Sequence, residues 1–388
     1  MSLLERATAL VPPGEIDIAL ETDLVNALFW AGRSSDALRR AGSLVEGASA
    51  AGDLVGELCG RIKEGVFRLY LEPEGAAERL AALVEQAMPV FHAARDDLAL
   101  YIGYSALGEV ANMRAQMDAK LEAFERAAAH ARRARLPHEL LGHRASARFF
   151  GTTPVSEMLA WMDEAEARGA PPFGLRAHRA GALAMLGRFD EARAILVQVR
   201  AELADRGGGI PLAMVTGGDS VDVELLAGDP AAAVELGEAG CRLLDDLGEQ
   251  SLLSTEAGQL AQALYAVDRL EEADAWAGRA AELGASDDAI TQMLWRQVRA
   301  KVLARRGENV EAERLAREAV AVCDETDMLD AQGDVYADLS EVLLLAGKTD
   351  EAAAVLEQAV ERYERKGNLV SAQRAQARLA ELRDAAPR

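Results

Sequence analysis

Aromatic side chains are scarce, making only 5% of the 388 residues, so any core must be built mainly from Ala, Leu and Val. Lysine is scarcer still. Five lysines stand against 37 arginines in an alanine-rich chain, which looks like the coding bias of a GC-rich bacterial genome. Cysteine appears three times, at Cys59, Cys241 and Cys323, and an odd number excludes complete internal pairing. With no CxxC pair, neither a disulfide framework nor a thiolate zinc site is indicated, and the thiols read as small buried hydrophobes in a reducing compartment. Positive charge is in deficit, 42 basic residues against 64 acidic, for a net −22. Such a chain repels phosphate backbones and anionic membranes, so neither nucleic acid nor a membrane is expected as a direct partner. Long apolar runs are missing too. No stretch approaches the roughly 20 residues that span a bilayer, and the opening MSLLERATAL carries an acid where a signal peptide needs an apolar block. A cytoplasmic protein is expected.

What is present is repetition. Half of the residues are hydrophobic, which excludes disorder, and the length is large for one compact domain, which leaves several domains or a repeat array. A glycine, three or four residues ending in an acid, then alanine recurs at Gly187–Ala192, Gly307–Ala312 and Gly347–Ala352, with weaker copies at Gly32–Ala37, Gly228–Ala233 and Asp268–Ala273. Admitting degenerate copies, the last position reads Ala37, Ala77, Lys120, Met158, Ala192, Ala233, Ala273, Ala312 and Ala352, a mean spacing of about 39 residues. Two further columns share this register. Twelve residues before the anchor stand Val25, Gly65, Gly108, Ser146, Ala180, Val221, Ala261, Ala300 and Ser340. Seven residues after it stand Leu44, Val84, Ala127, Ala165, Val199, Gly240, Ala280, Ala319 and Ala359. Short side chains on both sides of a turn are what two closely crossing helices require. No run alternates with period two for long enough to argue a strand.

These features resemble the tetratricopeptide repeat, most closely at Leu186–Val199 and Leu345–Ala359. The family's aromatic near the start of the first helix is mostly absent, and the units are longer than its usual 34 residues or so. The longer, degenerate units are similar to the C-terminal arrays of large bacterial signalling ATPases, including LuxR-type activators and ATPase-fused nucleotidyl cyclases. The expected fold is all-α, a right-handed superhelical solenoid of about nine helical-hairpin repeats of about 40 residues. One solenoid spans 1–388, with a half-repeat or N-terminal cap at 1–13 and repeats one to five over 14–205. A glycine-rich connection or hinge at 206–218, repeats six to nine over 219–366 and a capping helix over 367–388 complete it. Because the first unit begins halfway, the chain reads as a fragment of a larger regulator, or else 1–13 is itself the cap. An uncapped unit would invite self-association.

No catalytic constellation emerges. His138-Glu139 with His143 approaches the zinc-protease pattern, but the histidines are five apart, about 140° around a helix, and cannot hold one metal from one face. Gly347-Lys348-Thr349 lacks the earlier glycine and the preceding strand of a phosphate loop, and the repeat turn explains it. No metal, cofactor or catalytic residue is assigned, and the chain is expected not to be an enzyme. What remains is the concave wall of the stacked hairpins. In the resembled family the first helix of each unit lines it. Carried onto this chain, that implies Asn26, Trp30, Tyr70, Glu109, Asn112, His143, Phe150, Asp222, Gln262, Tyr265, Gln297, Lys301 and Arg305 as groove residues. For the aromatics Phe29, Trp30, Phe150 and Tyr265, filling the core is the competing role. The function expected is recognition of a protein or peptide along the groove, with an inducer-sensing role on the same scaffold as the alternative.

Overall fold

The computed structural model describes residues 2–11, 17–136, 140–169 and 173–385. The first part of the chain forms α1 (Ser2–Thr8), α2 (Ile18–Trp30), α3 (Ser34–Ala51), α4 (Leu54–Leu71), α5 (Ala76–Ala94), α6 (Asp97–Met113) and α7 (Met117–Arg133). Next come α8 (Leu141–Phe150), α9 (Val155–Ala167), α10 (Phe173–Met185), α11 (Phe189–Asp205), α12 (Ile210–Met214), a π-helical turn (Val215–Asp219), α13 (Ser220–Ala227) and α14 (Pro230–Leu247). The last part supplies α15 (Gln250–Ala266), α16 (Leu270–Leu283), α17 (Ala289–Arg305), α18 (Asn309–Asp324), α19 (Leu329–Leu345), α20 (Thr349–Lys366) and α21 (Leu369–Ala385). The described residues contain no strand. The fold is an all-α solenoid in which each helix packs on its neighbours in sequence.

Local chemistry explains where the helices start and stop. The first helix of a hairpin is often capped by an acid: Asp53 accepts from the Gly56 amide, Asp96 from Leu98 and Ala99, Glu249 from Leu252, and Asp288 from Thr291. Each satisfies amide donors that the helix itself cannot. The turns within hairpins hold glycine in the left-handed region, as at Gly187, Gly307 and Gly347. Where the repeat lacks that glycine, Ala115 and Asp268 are forced to φ 52° and 63°. All nine anchor residues are buried, and so is the column seven residues later. The three thiols are free and buried, and burial raises the pKa of each to about 12, which makes them inert.

The glycine-rich segment 206–218 is an open connection only as far as Gly209; from Ile210 onward it is helical. Its glycines permit close approach. A side chain on Gly209 would meet the Trp30 carbonyl at 2.5 Å, and one on Gly217 would meet Glu256 Oε2 at 2.0 Å.

The array also winds back onto itself. The Met117 and Asp118 amides donate to the Asp327 carboxylate at 2.6 and 2.7 Å, so a residue 210 positions on caps the start of α7. The Ser286 hydroxyl donates to Glu74 at 2.6 Å, 212 positions away. Lys366, fully buried at the end of α20, donates to the carbonyls of Arg148 and Gly151 at 2.8 Å and of Thr153 at 2.9 Å. Apolar seams run beside these bonds. Ala115 and Met117 pack with Met293, Cys323 and Met328, while Phe29 and Phe67 pack with Ile210 and Leu252. One superhelical turn therefore closes after about 210 residues, and the second turn rests on the first. Arg374 of α21 adds a last tie, donating to the Leu226 carbonyl at the end of α13 at 2.7 Å.

Candidate functional site

Because the turns touch, the concave wall is rolled into a channel. It forms a cavity of about 1410 Å³, lined chiefly by the first helix of each hairpin and by α21. Ten of the residues expected in the groove lie on its wall: Trp30, Tyr70, Glu109, Asn112, His143, Phe150, Asp222, Gln262, Gln297 and Arg305. Phe29 instead fills the core between α2 and α4. Asn26, Tyr265 and Lys301 are not on the wall; Tyr265 and Lys301 each stand one bond behind it. Asn26 accepts from Lys63 at 3.4 Å, and Lys301 donates to Gln262 at 2.7 Å while stacking over the Tyr265 ring.

One part of the wall is a polar network centred on Glu109. Tyr70 donates its hydroxyl to Glu109 at 2.8 Å, and His143 Nδ1 lies 3.5 Å from the other carboxylate oxygen. His143 stacks on Phe124 with ring centres 4.4 Å apart, and burial lowers its pKa despite Glu109, which favours the neutral ring. Lys120 donates to Asn112 and to Ser146, both at 2.7 Å. With only neutral acceptors in direct contact, burial lowers the ammonium of Lys120 to about 8, and that of Lys63 likewise to about 8.

A second part is acidic. Asp330, Asp334 and Asp338 follow one another at steps of four along α19, so they share one helix face, and all three line the channel. Asn368 donates to Asp330 at 2.8 Å, Tyr363 to Asp334 at 2.6 Å, and Lys301 to Asp338 at 2.9 Å. Asp222, which accepts from Gln259 at 3.1 Å, joins them with Asp219 and Glu256. Protein surrounds Asp334 on every side, yet its side chain is open to the cavity. Burial raises all three aspartates of α19, and Asp330 pushes Asp334 further. Burial, reinforced by Asp219, lifts Asp222 to about 7. Glu256 is held well above the usual carboxylate range by burial, with Asp219 and Glu249 adding to it.

Asp222 was among the residues expected in the groove; the other acids were hidden in the sequence by the abundance of carboxylates. The signal that could have found them is LDAQGDVYADLSEV (Leu329–Val342), where three aspartates at four-residue steps interrupt a helix otherwise rich in apolar residues. Among the described residues no group of three or more His, Cys, Asp or Glu is arranged to hold a metal ion, and no helix is long and apolar enough to cross a membrane. His138 and Glu139 lie outside the described residues. Gly347, at φ 77°, closes the turn between α19 and α20, and Lys348 pairs with Glu313 at 2.8 Å.

The tetratricopeptide repeat family profile matches residues 290–365. No curated protein matches the sequence. Among solved structures, human IFIT1 in a dimer with PPP-AAAA is 14% identical with a TM-score of 0.53, over 98% of this chain and 85% of that one. A Rap protein complexed with competence and sporulation factor is 12% identical with a TM-score of 0.48, over 95% of this chain and 98% of that one. A signal transduction ATPase with a tetratricopeptide repeat sensor, from Pyrococcus horikoshii, is 12% identical with a TM-score of 0.41, over 90% of this chain and 53% of that one. Repeat spacing, helix packing and the family match agree: the chain is a tetratricopeptide-like array of helical repeats.

Proposed function

We propose that the chain is a non-catalytic recognition array that takes a short peptide into its central channel, as the sensor or interaction arm of a larger bacterial signalling or transcription regulator. The observation that carries this reading is the convergence of groove residues from successive hairpins on one cavity of about 1410 Å³. Pockets for single drug-sized ligands run to roughly 1,000 Å³, so this one has room for a short peptide, while a folded domain would have to remain outside. The mixture of aromatic, amide and charged groups on the wall suits a peptide's own mixture. An inducer-sized small molecule is the second reading, favoured by the contacts that close the channel between superhelical turns. The aspartates of α19 and a net charge of −22 oppose entry of a phosphate-rich ligand.

The test is heat stabilisation of the chain by peptide and metabolite libraries, since a ligand bound only to the folded state raises the melting temperature. A Gly218→Phe variant supplies the control. A side chain there points into open space, with Gln259 Oε1 the nearest atom at 3.6 Å, and would project into the channel without displacing the core. Stabilisation by a peptide, lost in Gly218→Phe, supports the channel. Equal binding of a folded partner by both proteins would move recognition to the outer surface.

A further inference from the structure

The channel's charges are unevenly matched. Asp330, Asp334 and Asp222 take their hydrogen bonds from Asn368, Tyr363 and Gln259, all neutral donors. Glu256 is only 4% exposed and lines the same cavity, while its Oε2, which has no hydrogen-bond partner, lies against Gly217 and Gly240. The arginines nearby are engaged elsewhere. Arg305 pairs with Asp268 at 2.6 Å, Arg374 turns to the main chain of α13, and Arg378 pairs with Glu381 at 2.7 Å. Of the α19 aspartates Asp338 is bonded to Lys301, Asp330 feels the buried Lys366 ammonium, whose hydrogen bonds go to main-chain carbonyls instead, and Asp334 has no cation bonded to it. A carboxylate walled in by protein without a cationic partner is costly, and a ligand cation that supplies one recovers that cost on binding.

We propose that the channel selects an oligocationic ligand, whose ammonium or guanidinium groups dock on Asp330 and Asp334, with Asp222 completing the acidic wall and the buried Glu256 adding its field from behind. This rests on the channel being the binding site. The register fits. Asp330 and Asp334 are one helical turn apart, a rise of about 6 Å, and alternate side chains of an extended peptide are separated by about 6.6 Å. A basic peptide with arginine or lysine at every second position thus presents its charges at the spacing of the aspartates. A linear polyamine presents the same chemistry without a peptide backbone. The acids of α13 and α19 also lie within electrostatic reach of one another, so a single dication would relieve both helices.

Calorimetric titration of the whole chain at low ionic strength tests this with four probes: spermine, Arg-Gly-Arg-Gly-Arg, Gly-Gln-Gly-Gln-Gly and Glu-Gly-Glu-Gly-Glu. The Asp330→Asn/Asp334→Asn variant removes two ionisable carboxyl groups inside the channel and keeps the side-chain shapes. The Asp190→Asn/Glu235→Gln variant removes two from the exposed outer surface. The expected result is saturable binding of a basic probe, weakened about tenfold or more by the inner variant and unchanged by the outer one. Spermine bound in preference to the arginine peptide identifies a polyamine; the reverse identifies a basic peptide. Equal weakening by both variants would show diffuse attraction to the net charge of −22 and overturn the proposal. Binding of the neutral or acidic peptide alone, abolished by Gly218→Phe, would also overturn it while leaving the channel as the binding site. Silence from all four probes overturns it too, and the library screen then decides whether the channel binds anything.

Discussion

Replacing Lys366 with Met should loosen the contact between the two superhelical turns. The ammonium is fully buried and reaches three main-chain carbonyls, those of Arg148, Gly151 and Thr153, at 2.8–2.9 Å. Hydrogen bonds to a charged group contribute about 1.5–3 kcal/mol each, or about 4–9 kcal/mol together. Against that stands the cost of burying the ammonium. Its pKa is lowered from 10.5 to about 8, chiefly by burial with Asp330 opposing, which corresponds to a cost of about 3 kcal/mol. The variant recovers that cost but leaves three carbonyls at the end of α8 without a donor. A net loss of about 3 kcal/mol is expected, equivalent to about a hundredfold in a local opening equilibrium. Amide hydrogen exchange reads this directly. Protection should fall in α21 and also in α8, more than 200 positions earlier in sequence, and stay unchanged in α4 and α5. In an ordinary solenoid each unit feels only its neighbours, so a response confined to α20 and α21 would refute the clasp.

Three other outcomes are expected. Gly217→Ala should destabilise by about 1–3 kcal/mol in urea unfolding, because its methyl would meet the Glu256 carboxyl at 2.0 Å. Arg95→Gly should stabilise by about 1 kcal/mol by the same measurement, since this exposed residue ends α5 at φ 54°, where a side chain is strained. Asp222 is raised in the fold to about 7, so the folded chain holds its proton more tightly than the unfolded chain; that stability is fully present below the ordinary carboxylate pKa and is lost as pH rises through about 7. Asp222→Asn should therefore raise the melting temperature at pH 8 more than at pH 5.

The repeat was legible because it is written many times over. The small residues of the two columns must recur wherever helices cross, and the burial of all but Gly65 and Ser146 in the fold follows from that geometry. Ten of the thirteen residues expected in the groove lie on the channel wall for the same reason, since the same face of each first helix turns inward, though they are a small part of that wall. Asn26, Tyr265 and Lys301 miss the wall although they occupy equivalent positions, because their side chains bond to neighbouring helices; the partners of Tyr265 and Lys301, Glu341 and Gln262, do face the channel. Closure of the superhelix could not be read. It depends on Asp327, Lys366 and Arg374, residues that occur once each and join segments about 150–220 positions apart, where no periodicity points to the partner.

The seam between turns has a consequence for how the chain is made. Met117 emerges from the ribosome long before Met293, Cys323 and Met328, the residues that cover it. Synthesis at about 5–20 residues per second puts an interval of about 10–40 s between the two edges. During that interval the first turn is folded along its length but bare along its rim, with the start of α7 still lacking the carboxylate that caps it. Nascent chains stalled in this window are the form of the protein most exposed to aggregation and most in need of a chaperone.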